Sequence, residues 1–572
     1  MNHRLEYLTI GIYLIRLLGL GAYLSRLNKN LSDYIRGGAQ GTWWLVGSSA
    51  FMSSISAYTF TANNGLAFEG GPTPLFIFLA IAAGLLLAAI FTGPWFRQTR
   101  AITILDIVRE RFGPEVEQFS VYLGLFTGPI AASIQLWALA VFTSSFFGFP
   151  LIGTIVTLGL VVLFYSTTGG RWAVMATDFL QSLILVPLTL LIAFLCISKF
   201  GGIGPFLEHF SLPEFAKDFE IINDNGDFPG NKFGWKWFIA MFCVSFFREI
   251  SIESAHNYLS VKDGREARKS ALFSMVLIAC GGIIFLLPGM TSRFLFSAEV
   301  TAIPMDNPTQ SAYAVAALNV LPNGLAGILV VAMFAATMSS MDTGLNASAG
   351  GIVNNLIPVL RRRLGLKPLE GMMRVRLCKF VTIFLGLIVI TYAVLWETAG
   401  EIDIFGAFML ITSVIALPMG FPFTIALLIK RLPRWSFFFI AGCGLLPSLI
   451  ALIDQKVNGN IWLFQDKLFW IIGSSMGGTL LCMLFYKTSS RAYRDRMDAF
   501  FKRIRTPVDF EKEVKVDRDH FQLNIMGATA ILGGCLLSLL LLVPNSPGGR
   551  LGILFLAGFV AVVGILQRRA GK

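Results

Sequence analysis

The chain has 572 residues, of which 55% are hydrophobic and 14% charged, too few charges to cover the surface of a soluble protein of that size. Apolar runs such as Leu75–Phe91 and Ser182–Ile197 reach, with their flanks, the ~18–20 residues that a helix needs to cross ~30 Å of hydrocarbon. A membrane β-barrel would alternate apolar and polar residues over ~10-residue strands, and the net charge of +12 lies in short connections rather than on a nucleic-acid-binding domain.

In chain order, fifteen helical spans are expected near 6–24, 43–68, 74–96, 117–147, 150–168, 177–198, 237–254, 271–291, 323–356, 377–396, 403–427, 436–453, 468–486, 522–543 and 551–567. Alternating the connections gathers most of the 46 Lys and Arg residues on one side, Arg97, Arg100, Arg109, Arg111 and Arg361–Arg363 among them. Lys217 and Arg293 fall on the other side. That asymmetry predicts an all-α, multi-pass protein of the plasma (inner) membrane, with its N-terminus outside and its C-terminus inside. The first run lacks a small-residue cleavage site, so no cleavable signal peptide is expected.

The second span reads Gly47-Ser48-Ser49-Ala50-Phe51-Met52-Ser53-Ser54-Ile55-Ser56-Ala57-Tyr58-Thr59, then Asn63-Asn64-Gly65. Small residues allow close helix packing. The other reading is a broken helix whose freed carbonyls face a cation, because such backbone is tolerated at membrane depth only along a cavity. Between the third and fourth spans, Ile102–Arg109 is amphipathic, as an interfacial helix or an ordinary loop helix would be. Asp178 opens the sixth span within Gly169-Gly170-Arg171…Thr177-Asp178; it either serves the helix dipole or binds a cation. The following connection, 199–236, carries six acidic residues.

Arg248 and Glu249 are adjacent in the seventh span, with Glu253 beyond. Neighbours on a helix diverge, so separate partners are expected for them unless the helix is unwound there; Arg248 suits a structural ion pair or an anionic solute. In the ninth span Ser339, Asp342, Thr343 and Asn346 stand at i, i+3, i+4 and i+7, on one helix face. An aspartate there costs ~2.5–3.5 kcal/mol on insertion scales. Oxygen ligands of this kind suit a hard cation, and an interhelical hydrogen-bonding stripe is the alternative. The seven cysteines form no CxxC pair and read as small hydrophobes, and the four histidines form no ligand cluster. No phosphate-binding loop, HExxH motif or Ser/His pairing is present, so neither ATP-driven transport nor an enzyme is expected.

Together these segments resemble the sodium:solute symporter family. The matching pieces are Trp43–Gly47; Gly169-Gly170-Arg171 with Thr177-Asp178; Tyr258–Asp263 with Glu266-Ala267-Arg268; and Ala336–Asn346. The resemblance implies a leading helix and first loop (1–42), a ten-helix core of two inverted five-helix repeats (43–430), and four further helices with a basic inner loop (431–572). It implies sodium-coupled symport of a small organic solute by alternating access, with Na+ as the coupling ion. By motif, sodium would take the carbonyls of Met52, Ile55 and Ala336 and the hydroxyls of Ser339 and Ser340. Some members have a second sodium site, whose counterparts are Asp178, Ser339, Asp342 and Thr343; Asp342 is more acidic than the hydroxyl usual there. The polar solute contacts of sugar carriers appear as Tyr58, Phe78 and Ile278, which cannot supply the same hydrogen bonds. Tyr58, Thr59, Phe78, Phe247 and Arg248 are the solute-site candidates. Besides the solute and the lipid bilayer no partner is expected, neither a nucleic acid nor an obligate protein. A proton-coupled or uncoupled carrier, or a non-transporting solute sensor of the same fold, are the alternatives.

Overall fold

The computed structural model describes residues 4–571 apart from 25, 27–30, 225, 306, 370, 401–402 and 514–518. Among the described residues the chain is helical, and a single isolated β-bridge joins Gly41 to Val261. The helices used below are α1 (Arg4–Leu24), α2 (Trp43–Ser54), α3 (Ala57–Phe60), α4 (Ala62–Gly70), α5 (Leu75–Gln98), α6 (Ile104–Phe112), α7 (Pro114–Phe147), α8 (Leu151–Gly169), α9 (Arg171–Lys199) and α10 (Trp235–Ile250). They continue with α11 (Gly264–Leu295), α12 (Leu325–Arg363), α13 (Met372–Ala399), α14 (Ile404–Ile425), α15 (Ser436–Asn458), α16 (Phe464–Thr488), α17 (Arg491–Arg503), α18 (Asp519–Leu542) and α19 (Pro547–Ala570).

Among the described residues, eleven helices are long and apolar enough to cross a membrane: α5, α7, α9, α11–α16, α18 and α19. The protein is therefore a multi-pass membrane protein. The other expected spans are helical too: α1, whose Arg16 guanidinium is satisfied inside the protein by the carbonyl of Thr529 on α18; α8; α10, with 16 residues; and 43–70, broken into three pieces.

The break in 43–70 follows from its serines. Ser48 Oγ donates to the Trp44 carbonyl at 2.8 Å and Ser54 Oγ to the Ala50 carbonyl at 3.0 Å, bonds that bend a helix and compete with its own ladder. Ile55 and Ser56 then run extended, at φ −116° and −147°, before α3 begins. The pieces are held centrally: α2 packs against α9, α11 and α12. Gly47 permits the closest of these approaches, because a Cβ there would lie 2.9 Å from the Phe273 ring and 3.0 Å from the Ser270 carbonyl. A second break stops α10 at Ser251, after which a short turn (Ile252–Ser254) leads to Ala255–Tyr258. α10 packs against α5, where Gly84 lets Glu249 and the Phe246 carbonyl come within 2.8 Å of its missing Cβ.

The stretch 102–109 does form a helix, α6, with a Thr103/Asp106 capping box. It lies among the basic connections, and α17 packs on it through Arg111. The Arg111 guanidinium is fully buried. It donates to the carbonyls of Ala426 and Ile429 at 2.8 Å and to the Tyr493 hydroxyl at 3.0 Å. It thereby satisfies the orphan carbonyls that follow α14.

Candidate ion and solute site

The ends left free by the first break are taken up by side chains of α12. Thr337 Oγ1 accepts the Ala57 amide at 2.8 Å. Ser340 Oγ lies 3.1 Å from the Ser53 carbonyl, 3.1 Å from that of Ile55 and 3.3 Å from that of Ala336. Four oxygens thus converge where the interrupted helix meets α12. Three are carbonyls, those of Ser53 and Ile55 at the broken end of α2 and that of Ala336 within α12, and the fourth is a hydroxyl. Ser339 Oγ is buried without a hydrogen bond of standard geometry and faces the Asp178 carboxylate. The Met52 carbonyl, expected in this set, accepts the Ile55 amide at 3.3 Å. An all-oxygen, mostly neutral donor set fits a hard monovalent cation.

The acidic residues form a second cluster behind the first. Asp178 on α9, 1% exposed, accepts Ser49 Oγ at 2.5 Å. Asp342, also 1% exposed, accepts Ser166 Oγ of α8 through Oδ1, while its Oδ2 has no partner. Tyr165 and Thr177 join hydroxyls at 2.9 Å beside them. The face Ser339–Asp342–Thr343–Asn346 therefore divides. Asp342 turns toward α8, whereas Thr343 meets Ser53 Oγ at 3.4 Å and Asn346 accepts from the Tyr34 hydroxyl at 3.3 Å. Ser49, Ser53, Ser166 and Thr337 were not singled out as ligating or capping groups. Ser49 and Ser53 lay within the serine-rich stretch, which was the available signal; nothing local marked Ser166, which lies 176 residues from Asp342.

A cavity of ~430 Å³ runs from Ser53, Ser340 and Thr343 to Arg36 and Ile102–Leu105, on the side of the basic connections. Arg171 crosses its wall, donating to Ser260 Oγ (3.2 Å), Thr343 Oγ1 (3.4 Å) and Asn257 Oδ1 (2.9 Å). On the opposite side a polar latch ties the connections to one another. Asn307 donates to Asp403 at 2.9 Å, Thr309 Oγ1 to Glu69 at 3.2 Å, and Lys232 lies 3.6 Å from Glu69.

The five solute-site candidates are not among the residues lining this cavity. Tyr58 stacks near Phe408, its hydroxyl buried and unpartnered; Thr59 is buried. Phe78 is core, against Phe285 and Gly282, and Ile278 is likewise buried. Phe247 packs on Phe421. Arg248 and Glu249 correct an expectation: they bond each other, Nη2 to Oε1 at 3.0 Å. They stand in the last turn of α10, where two long side chains can curl back beyond the helix end.

Two interrupted membrane helices, a buried oxygen cluster at the first break and a cavity beside it on the side of the basic connections are the features of a membrane transporter. Comparison with known proteins makes the class specific. The family model for the sodium:solute symporter family matches residues 34–435, and the chain belongs to that family. A sodium/sialic acid symporter, SiaT, of Proteus mirabilis is 26% identical over 84% of this chain and 95% of its own length. The sodium/sialic acid symporter NanT of Aliivibrio fischeri is 25% identical over 75% of this chain and 83% of its own. The same fold appears in a substrate-bound, outward-open, Na+-coupled sialic acid symporter with a novel Na+ site. That structure covers 85% of this chain and 98% of its own at a TM-score of 0.70 and 21% identity.

Proposed function

We propose that this sodium-coupled symporter binds Na+ where Ser340 meets the first break and carries a small organic solute through the ~430 Å³ cavity. The observation that carries the assignment is the convergence of the Ser53, Ile55 and Ala336 carbonyls on Ser340 Oγ within 3.3 Å, with Ser339 the adjacent residue on the same helix. Ile55, Ala336, Ser339 and Ser340 are ligands in this reading, and Met52 completes the set on a small rotation of the last turn of α2. The unpartnered Oδ2 of Asp342, with Asp178 and Ser339, supports a second cation position, from which Thr343 is turned away toward Ser53 and Arg171.

The chain runs through fifteen spans in the plasma (inner) membrane, with its N-terminus outside and the basic connections inside. The two broken segments, 43–70 and 235–258, stand five spans apart, as corresponding helices of two inverted five-helix repeats would. In that orientation the cavity faces the cytoplasm, and the latch through Glu69 and Asp403 closes the outer path. Alternating access is then the exchange of that latch for closure at the inner cavity. Sodium entering from outside bridges α2 and α12 and adds about 2.3 kcal/mol per ion per 100 mV of membrane potential. Tyr58 and Thr59, at the start of the resumed helix, stand where an outward-open path would reach the solute; Phe78, Phe247 and Arg248 form its surround.

The test is thermal stability of the purified chain in NaCl against KCl at equal ionic strength, with and without Ser339→Ala and Ser340→Ala. Sodium is expected to raise Tm in the wild type and in neither variant. An equal response to potassium, or one unchanged in both variants, overturns the assignment.

A further inference from the structure

Among the described residues, the buried side-chain atoms of the cavity wall that lack a partner are both acceptors, Gln135 Oε1 and His256 Nε2. Four charged or titratable residues line it: Arg36, Arg171, Glu253 and His256. Both arginines are oriented by neutral oxygens, which occupy their donors and leave their charge in place. Arg171 gives hydrogen bonds from all three of its nitrogens, and Arg36 is bound to Ser32 Oγ at 2.9 Å and to the Ala101 carbonyl at 2.8 Å. Glu253 is exposed, and among the described residues its carboxylate makes no salt bridge. Arg248, in the preceding turn, is salt-bridged to Glu249 and is also the cation whose charge acts on Glu253.

His256 supplies a second acceptor. Its Nδ1 lies 2.9 Å from the Glu253 carbonyl, which can only accept, so Nδ1 carries the proton. In the neutral ring Nε2 is then a lone pair, and it is buried without a partner. Glu253 and His256 stand three residues apart in the turns that follow the break after α10 and so share a face. α14 packs against this segment, bringing the Phe423 ring into the same cavity; the face of such a ring attracts a cation. Across the cavity, Gln135 adds an amide oxygen that is also unpartnered. A carboxylate, an imidazole lone pair, an amide oxygen and an aromatic face are complementary to an N–H-bearing cation, and all but the ring would leave an anion unsatisfied.

We propose that the cavity binds a small organic cation carrying N–H donors, an ammonium or guanidinium solute, with Glu253 as its counter-charge and His256 Nε2 as a second acceptor. This rests on the reading of the cavity as the solute path. It makes the cargo different in charge from the acid for which the relatives are named.

The experiment uses the full chain in saturating NaCl and two series matched in size and differing in charge: glucosamine, glucose and glucuronate; putrescine, 1,4-butanediol and succinate. Thermal shift is expected only from glucosamine or putrescine. Glu253→Gln should weaken the cationic ligand about tenfold to hundredfold, and Glu253→Asp, which keeps the charge, should retain part of the affinity. A shift from a neutral or anionic member, a shift from none, a cationic shift that Glu253→Gln leaves intact, or a loss as complete in Glu253→Asp overturns the proposal. The wild-type response to NaCl against KCl without solute reads the sodium assignment separately, so either reading can fail while the other stands.

Discussion

Thr337 Oγ1 accepts the amide of Ala57 at 2.8 Å, so a helix interrupted in the protein interior is restarted by a side chain from another helix. The same Thr337 hydroxyl donates to its own Met333 carbonyl at 3.0 Å, which fixes its rotamer and aims its lone pair at the break. An N-terminal helix donor that would otherwise be orphaned is satisfied from 280 residues away.

Thr337→Val keeps the shape and removes the acceptor. It is expected to cost about 1–2 kcal/mol and to weaken sodium binding, because the Ile55 carbonyl is set by the same turn. Tm in NaCl should fall more than Tm in KCl. Equal falls would mean that Thr337 supports the helix without positioning the ion site.

The latch away from the cavity is made of exposed or half-buried hydrogen bonds, each worth about 0.5–1.5 kcal/mol. Asn307→Ala with Thr309→Ala removes two of them and leaves Asp403 free to cap Gly406 at 2.7 Å. Loss of about 1 kcal/mol should shift the conformational ratio roughly fivefold away from the cavity-open form. A cysteine at Ser53 reports this: its alkylation from the basic side should slow by a few fold in the double variant.

Arg111→Met fills the volume and abandons the carbonyls of Ala426 and Ile429 in the interior. The expected cost is about 3 kcal/mol or more, read as a lower Tm and loss of a monodisperse peak. Arg111→Lys should not restore it, since one ammonium cannot span two carbonyls and the Tyr493 hydroxyl.

Glu513 lies outside the membrane-spanning helices, and the Arg100 guanidinium at 2.8 Å holds its carboxyl below the usual range. A carboxylate with a depressed folded-state value contributes above its ordinary value and loses that contribution as pH falls through the depressed one. Wild type should exceed Glu513→Gln in Tm at neutral pH, by little because the pair is partly exposed. The two curves should converge below about pH 4. A gap that persists in acid would assign the stabilisation to packing.

The broken helix was legible in the sequence because serines compete locally with the helix ladder, and Ile55-Ser56 sits where that competition is densest. The oxygen cluster was legible because Ser339, Ser340 and Asp342 stand near one another on a helix too apolar to tolerate them without reason. Contacts that depend on distant chain segments were not. Ser166 is unremarkable within its own helix, and the capping role of Thr337 exists only once α3 is docked. The Arg248–Glu249 pair escaped because helix periodicity fixes Cβ directions, whereas two flexible side chains at a helix end choose their own. The lining of the cavity was unreadable for a further reason: it belongs to one of two arrangements of the same helices, and a sequence pattern does not say which side of the site is open.

The match to the family model stops at residue 435, yet Arg111, within it, grips Tyr493 on α17, well beyond it. Ion pairs from Arg503 to Glu110 and from Lys430 to Asp498 join the same two regions. The end of the family match is therefore not a mechanical seam. Chimeras spliced to a relative at 435 would inherit a guanidinium buried against a foreign surface. Splices placed after Arg503 would transplant the grip together with what it holds.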